Sequence, residues 1–293
     1  MKAKIVPKSN SYKPENMIIA HKAINAKWKL MREELLLGKY TFDDEDEAKK
    51  SKFLSEFDML FKTEGGEKYF SKTLSDVFKN AYVIRGAILS KADPKPNGNR
   101  FIPNSNYIKE DNRFSPKGVE WIYLALGFPK NSDGKERAKI CSEKECRAKK
   151  DDTFAICEFK QTGSNVKIVD LTVGEKWTPE KQQQEINKLV KSLKKMDLLH
   201  PNTTDVLENH PICKRNIVEA YANIMSSELF VPLSSKDKNV IYAPFHCIAH
   251  YFQSLNYNGI IYKSTVFDKG KNIVLFNKNI VAPIESSITT YVI

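Results

Sequence analysis

The sequence predicts an α+β fold, and three observations carry this prediction. Apolar residues recur at helical spacing through most of residues 1–80. Short runs rich in β-branched and aromatic residues follow, of which AYVIRGAIL (81–89) is the first. Helical spacing returns between 178 and 230, so strands and helices do not alternate as regular βαβ units.

The composition is that of an ordinary globular protein. Of the 293 residues, 41% are hydrophobic and 28% are charged, which suits one large domain or one domain with an appendage. No apolar run reaches the ~18–20 residues of a membrane-spanning helix, and no apolar segment follows the basic N-terminus as in a secretory signal. We therefore expect a cytoplasmic protein without a membrane partner.

The cysteines and histidines predict reduced thiols and no metal. The chain has five cysteines, an odd number, and no CxxC pair. The nearest candidate for a zinc site is His246 with His250, beside Cys247, but no acidic third ligand lies nearby in the sequence.

The net charge of +11 and the pI near 9.2 indicate an anionic partner. The lysines are spread along the chain, and the densest run, KSLKKM (191–196), is typical of the solvated face of a helix. A non-catalytic nucleic-acid-binding protein stays an alternative, although clustered lysines with interleaved aromatic residues are missing.

The elements divide the chain into a helical extension, residues 1–80, and a main domain, residues 81–293. The boundary is expected near 75–82, and the main domain carries a helical insertion at about 178–230. Further strands are predicted at WIYLAL, FAICEF, VKIVDLT, GIIYKS and NIVLFN. Three helices are predicted in the same part of the chain. The first starts at Thr178, the second covers CKRNIVEAYANIM, and the third covers APFHCIAHYFQSLN and ends near Asn258–Gly259.

Several well-known catalytic motifs are missing. The chain has no GxG, which excludes the dinucleotide fingerprint and the phosphate loop. It also has no GxSxG nucleophile elbow and no HExxH zinc motif. What stands out is a set of polar residues in or beside predicted strands: Arg85, Arg113, Tyr123, Glu145 and Ser264. Taken singly, each is ordinary for a strand rim, a core edge or a turn.

Taken in order, these residues resemble the RES-domain family, named after an Arg, a Glu and a Ser. The resemblance runs from about residue 80 to about residue 278. Its parts are an arginine in the first strand, an Arg-x-x-x-x-Gly turn before a Tyr-x-Ala strand, a Glu-x-Arg segment, a Tyr-x-Ser strand end and a Gly-x-Asn-x-x-x-Phe segment. In this sequence they are Arg85; Arg113 with Gly118; Tyr123 with Ala125; Glu145 with Arg147; Tyr262 with Ser264; and Gly270, Asn272 and Phe276.

The resemblance implies an ADP-ribosyltransferase-like fold, a mixed β core with surrounding helices, that takes NAD+ as a substrate and not as a reusable cofactor. It implies cleavage of the nicotinamide–ribose bond, by hydrolysis or phosphorolysis, in a toxin of a bacterial toxin–antitoxin pair. Some family members instead modify a protein, so transfer of ADP-ribose to a protein or nucleic acid is the alternative. An antitoxin or immunity protein would be the partner, and the oligomeric state stays open.

The resemblance also implies roles for the residues. Glu145 would stabilise the positive charge that develops on ribose, with Arg85 and Ser264 as further catalytic residues. Arg85 and Arg113 would bind the diphosphate, since guanidinium groups match phosphate oxygens. Tyr123 and Ser264 would hold the nicotinamide.

Three departures from the family pattern affect these assignments. The segment between Tyr123 and Glu145 is long, so the alignment could shift by two and choose Glu143; strand alternation would place both glutamates on one face. His246 stands where the family usually has glutamine. The helical extension and the insertion are additional, either as extra packing or as a surface for an inhibitor, partner or delivery apparatus. Tyr262 completes the set of candidate substrate contacts.

Overall fold

The structure, a computed structural model, describes residues 14–39, 50–62, 66–90, 95–195, 210–228 and 238–293. Parts of the predicted extension, of the loop after residue 90 and of the predicted insertion lie outside these ranges. None of the helices in these ranges is both long enough and apolar enough to cross a membrane. The fold is α+β, as predicted. Its helices are α1 (Pro14–Leu36), α2 (Lys52–Lys62), α3 (Gly66–Phe70), α4 (Leu74–Asn80), α5 (Ser132–Glu145), α6 (Pro179–Lys195), α7 (Pro211–Glu228) and α8 (Lys238–Ser254).

The chain forms two compact units, of which the first is helical. It comprises the described residues within Met1–Phe70 and Leu171–Val231. The N-terminal helices α1–α3 therefore pack with α6 and α7, which lie in the predicted insertion, and the two additions to the main domain form one body. α6 begins where Thr178 predicts it, because the Thr178 hydroxyl accepts a hydrogen bond from the Lys181 amide at 3.3 Å.

Aromatic side chains fill the core of the helical unit. Trp28, Phe53 and Tyr221 are at most 1% exposed, and Phe53 lies between the other two at ring-centre distances of 5.1 and 5.0 Å. The buried Tyr221 hydroxyl donates to Glu56 at 2.7 Å, and Lys27 pairs with the same carboxylate. The polar end of the ring is thereby satisfied, as a buried phenol requires.

The second unit comprises Ser71–Asp170 and the described residues within Pro232–Ile293. Its nine described strands form one mixed sheet in the order β1-β5-β6-β7-β3-β2-β4-β8, with β9 beside β4. The pair β5–β6 is parallel and the other pairs are antiparallel. The strands are β1 (Ser71–Thr73), β2 (Tyr82–Leu89), β3 (Ile122–Gly127), β4 (Thr153–Gln161), β5 (Lys167–Asp170), β6 (Tyr257–Lys263), β7 (Lys271–Leu275), β8 (Val281–Pro283) and β9 (Thr289–Val292).

Side chains alternate between the two faces of this sheet. On β3, Leu124 and Leu126 join one apolar cluster while Ala125 joins another, on the face covered by α5. α8 packs on β6. This alternation is the pattern of strands with apolar side chains on both faces.

Strands β2 and β3 diverge, and this divergence shapes the unit. They pair over three residues, from Tyr82↔Gly127 to Ile84↔Ala125. Beyond that point β2 pairs only with β4 and β3 only with β7. The sheet therefore splits, and the residues beyond Ile84 and before Ala125 face an opening.

The structure corrects three local predictions. Residues 66–80, which the helical spacing of the first 80 residues predicts to be helical, do not form one helix, because β1 separates α3 from α4 and pairs with β5. The helix APFHCIAHYFQSLN ends at Ser254, and Asn258–Gly259 lies within β6. The segment that carries Glu145 is the end of α5 and not a strand.

The start of α5 approaches β3 so closely that only glycine fits. A Cβ atom added to Gly127 would lie 1.9 Å from the carbonyl oxygen of Gly134. We expect Gly127→Ala to lower the free energy of unfolding by about 2–3 kcal/mol, as overpacking does, in urea denaturation followed by circular dichroism.

The matched control for this substitution is Gly163→Ala, where the nearest atoms belong to Ile280 at 3.1–3.2 Å. Ile280 needs to move by only a few tenths of an ångström to accommodate the methyl group, so the loss should be smaller. Equal stabilities of the two variants would contradict the close approach.

Candidate active site

A cleft of about 1290 Å³ lies at the split between β2 and β3, entirely within the sheet-containing unit. Arg85, Gly86 and Leu89 line it from β2, and Tyr123, Leu124 and Ala125 line it from β3. The loop between these strands, from Lys95 to Arg113, supplies much of the remaining wall. The volume exceeds the roughly 300–1,000 Å³ of pockets for drug-sized ligands, so a dinucleotide is a suitable occupant.

Glu145 projects into this cleft from the last turn of α5. One of its carboxylate oxygens, Oε1, accepts a hydrogen bond from the Ser264 hydroxyl at 2.8 Å and another from the Asn272 side-chain amide at 2.5 Å. Within the described residues, no hydrogen bond reaches the second oxygen, Oε2. The carboxylate is therefore fixed on one side and open on the other.

Ser264 lies beneath Glu145 and is not one of the residues that line the cleft. The side chain is 1% exposed. Its hydroxyl oxygen accepts hydrogen bonds from the amides of Val266 and Phe267, at 3.2 and 3.1 Å, and donates its own proton to Glu145. This geometry makes Ser264 a support for the carboxylate, whereas the resemblance implies a direct contact with the nicotinamide.

Glu143 points to a different partner. The Tyr291 hydroxyl of β9 donates to its Oε1 at 2.6 Å, and Glu143 is not among the cleft-lining residues. The expectation that Glu143 and Glu145 share one face is wrong, because two positions apart on a helix are about 200° apart around the axis. The structure brings Glu145, and not Glu143, into the cleft.

Arg85 reaches the cleft from β2. Its Nη1 donates to the Phe101 carbonyl oxygen at 2.8 Å, which fixes the side chain against the loop after β2. Burial lowers the pKa of Arg85 to about 10, an effect that nearby Cys146 opposes and Arg100 reinforces. The guanidinium therefore stays protonated at neutral pH and presents its remaining N–H groups to an anion.

Arg113 lines the cleft from the turn that precedes β3. Its Nη2 lies 3.4 Å from the Thr265 hydroxyl, and its guanidinium lies 5.7 Å from the centre of the Tyr242 ring. Gly118 closes the turn with φ of +81°, a value that favours glycine. The turn that Gly118 closes thus places Arg113 at the wall of the cleft.

His246 supports the same turn from α8. The side chain is fully buried and does not line the cleft. Its Nε2 lies 3.0 Å from the Asn112 carbonyl oxygen, and because a carbonyl can only accept, Nε2 carries the proton and donates. His246 therefore anchors the residue next to Arg113 instead of contacting a substrate.

Tyr123 and Tyr262 are two of the aromatic residues that line the cleft. The Tyr123 hydroxyl exchanges a hydrogen bond with Ser115 at 2.9 Å, and the Tyr262 ring lies 5.0 Å from that of Phe114. Burial raises the pKa of Tyr123 and raises the pKa of Tyr262 well above its usual range, the latter with a contribution from the Glu145 charge. Both phenols are therefore neutral at physiological pH.

Basic side chains outnumber acidic ones around the cleft, which suits an anionic ligand. No group of three or more His, Cys, Asp and Glu side chains in the described ranges is arranged to hold a metal ion. The basic lining residues are Arg85, Lys95, Arg100, Lys109, Arg113 and Arg147, and the acidic ones are Glu110, Asp111 and Glu145.

Comparisons with known protein families, with curated proteins and with solved structures found no match. The functional assignment therefore depends on the cleft itself. The structure brings together Arg85, Arg113, Tyr123, Tyr262 and Glu145 at its wall, with Ser264 and His246 behind it.

Sequence reasoning missed Asn272, Arg100 and Tyr242 as residues of the cleft. Asn272 carried a signal, since it belongs to the Gly-x-Asn-x-x-x-Phe segment. Arg100 and Tyr242 carried none, because a loop arginine and a helical tyrosine are common in any globular protein.

Proposed function

We propose that this protein cleaves the nicotinamide–ribose bond of NAD+, as the resemblance to the RES-domain family implies. The observation that carries the proposal is that one cleft holds a fixed, open carboxylate together with two of its lining guanidinium groups and two of its lining tyrosine rings. The groups concerned are Glu145, Arg85, Arg113, Tyr123 and Tyr262.

The position of Glu145 suits the chemistry of nicotinamide departure. As the C–N bond breaks, positive charge develops on the ribose ring, and a preorganised carboxylate lowers the energy of that state. The free Oε2 is the atom available for this contact or for a ribose hydroxyl, because Ser264 and Asn272 hold Oε1. The bonding electrons leave with nicotinamide, and water or phosphate then bonds to the ribose carbon and loses its proton to the solution.

The two arginines suit the diphosphate. Both line the same cleft, one from each side of the split in the sheet. Arg85 donates a hydrogen bond to the Phe101 carbonyl oxygen, and Arg113 lies within hydrogen-bonding distance of the Thr265 hydroxyl. Guanidinium groups bind phosphate oxygens in a forked geometry, and partial burial strengthens such contacts. Their placement in a diverging mixed sheet supports the proposal of an ADP-ribosyltransferase-like fold.

Incubation of the purified protein with NAD+, with and without inorganic phosphate, tests the proposal. We expect release of nicotinamide, measured by chromatography, together with ADP-ribose or its phosphorylated form. No release under either condition would refute the proposed function.

The same experiment in a cell lysate with labelled NAD+ distinguishes transfer of ADP-ribose to water or phosphate from transfer to a macromolecule. Label in free ADP-ribose supports depletion of NAD+, the activity of a toxin. Label on a macromolecule would instead support a transferase. Retention of nucleic acid at moderate salt without nicotinamide release would favour the basic binding protein.

A further inference from the structure

Asn272 and Cys141 form a series of hydrogen bonds behind Glu145, and the proposed function assigns no role to Cys141. The Asn272 amide nitrogen lies 2.5 Å from Glu145 Oε1. On its other side, the Cys141 Sγ lies 3.4 Å from the Asn272 Oδ1. Asn272 is 3% exposed and Cys141 is fully buried, so solvent has little access to the contact between these two side chains.

The chemistry of the three groups determines which of them donates and which accepts in each hydrogen bond. A carboxylate only accepts hydrogen bonds, so the NH2 end of Asn272 must face Glu145 and its oxygen must face Cys141. Burial, helped by the Glu145 charge, raises the pKa of Cys141 to about 12. The thiol therefore keeps its proton at neutral pH and donates it to the amide oxygen.

We propose that Asn272 is the positioning residue of the Glu145 carboxylate and that Cys141 fixes the orientation of the Asn272 amide. This inference rests on the proposed function for its kinetic consequences, but the geometry it describes can be measured without turnover. The thiol proton favours the same orientation of the amide that the carboxylate requires, because it needs the amide oxygen as its acceptor. With the amide reversed, two oxygen atoms would face each other and the carboxylate would lose a donor.

The place of these residues in the fold explains why they meet. Asn272 stands on β7, opposite Ala125 of β3 and Tyr262 of β6, on the sheet face that α5 covers. Cys141 lies one helical turn before Glu145 on α5, so both reach the same point of the sheet. The other titratable groups whose charge is coupled to Glu145 are Cys146, on the same helix end, and Tyr262.

The first test replaces the amide by a carboxylate. In Asn272→Asp, two carboxylates share one site and retain a proton at a pH at which either alone would be ionised. We expect the acidic limb of the kcat profile for nicotinamide release to move up by about one pH unit. Asn272→Ala should lower kcat about tenfold with KM nearly unchanged, since one bond to a charged group is lost.

The second test uses the thiol. Cys141→Ala removes the donor and should lower kcat about threefold by loosening the amide. Cys141→Ser keeps a donor at the same place and should restore most of the lost activity. Cys213→Ala, which removes a buried thiol from the helical unit, is the control and should leave kcat unchanged.

A readout without turnover separates this inference from the proposed function. With carboxyl-¹³C-labelled glutamate, the Glu145 resonance is identified by its loss in Glu145→Gln, and its titration midpoint should rise in Asn272→Asp. An unchanged midpoint overturns the inference even if the enzyme is active. A shifted midpoint in a protein that releases no nicotinamide supports the inference and refutes the proposed function.

Discussion

Glu145→Gln is expected to lower kcat for nicotinamide release by a factor on the order of 10²–10³, the usual loss when one preorganised charge or donor is removed from an active site. The substitution preserves the local structure. An amide oxygen can accept the hydrogen bonds of both Ser264 and Asn272, which Glu145 Oε1 accepts in the native protein. What disappears is the negative charge that faces the developing positive charge on ribose. The loss should therefore appear in kcat, with little change in KM or in thermal stability.

Glu143→Gln is the matched control, because it makes the same chemical change two residues away. Glu143 accepts a hydrogen bond from Tyr291, which the amide oxygen can also accept, and it does not line the cleft. We expect kcat within about twofold of the native value. If Glu145→Gln retained full activity and Glu143→Gln did not, the carboxylate would be misassigned.

Much of the fold could be predicted because local patterns determine it. Strands β2, β3, β4 and β7 lie where runs of apolar and β-branched residues predict them. Helix α6 begins at Pro179, directly after Thr178, which caps it. The packing of α1–α3 with α6 and α7 could not be predicted, since it joins segments that are more than 100 residues apart in the sequence. Helical spacing shows which face of a helix is apolar, but not which distant helix covers it.

The candidate site was predictable to a similar extent. The positions of Arg85 and Tyr123 could be predicted from the strands that carry them. The split between β2 and β3 could not, because it depends on a pairing register that neither strand encodes alone. Glu145 was placed on a strand because KERAKICSEKE has few apolar residues and thus a weak helical pattern. Asn131 was the missed signal, since its side chain caps α5 by accepting a hydrogen bond from the Gly134 amide at 2.9 Å.

Arg85→Ala is expected to raise KM for NAD+ about 10- to 100-fold, which corresponds to the loss of a charge-assisted contact with the diphosphate. Arg85→Lys should recover only part of this loss. A lysine keeps the charge but lacks the fork that binds a phosphate and the Phe101 carbonyl oxygen at the same time. Steady-state kinetics, with KM and kcat determined separately, are the measurement.

Because Arg85 also supports the loop after β2, a change in KM could reflect a displaced loop instead of a lost phosphate contact. Arg137→Ala is a control for the loss of an arginine that holds a backbone carbonyl, since Arg137 donates to the Phe128 carbonyl oxygen and does not line the cleft; the two effects on Arg85→Ala are separated by the choice of ligand. Loss of a phosphate contact predicts that Arg85→Ala weakens the binding of ADP-ribose, which contains the diphosphate, and leaves nicotinamide binding nearly unchanged. A displaced loop would weaken both ligands. Equal affinity of native protein and Arg85→Ala for ADP-ribose would remove Arg85 from the diphosphate site and leave Arg100, Arg113 and Arg147 as the lining arginines to test.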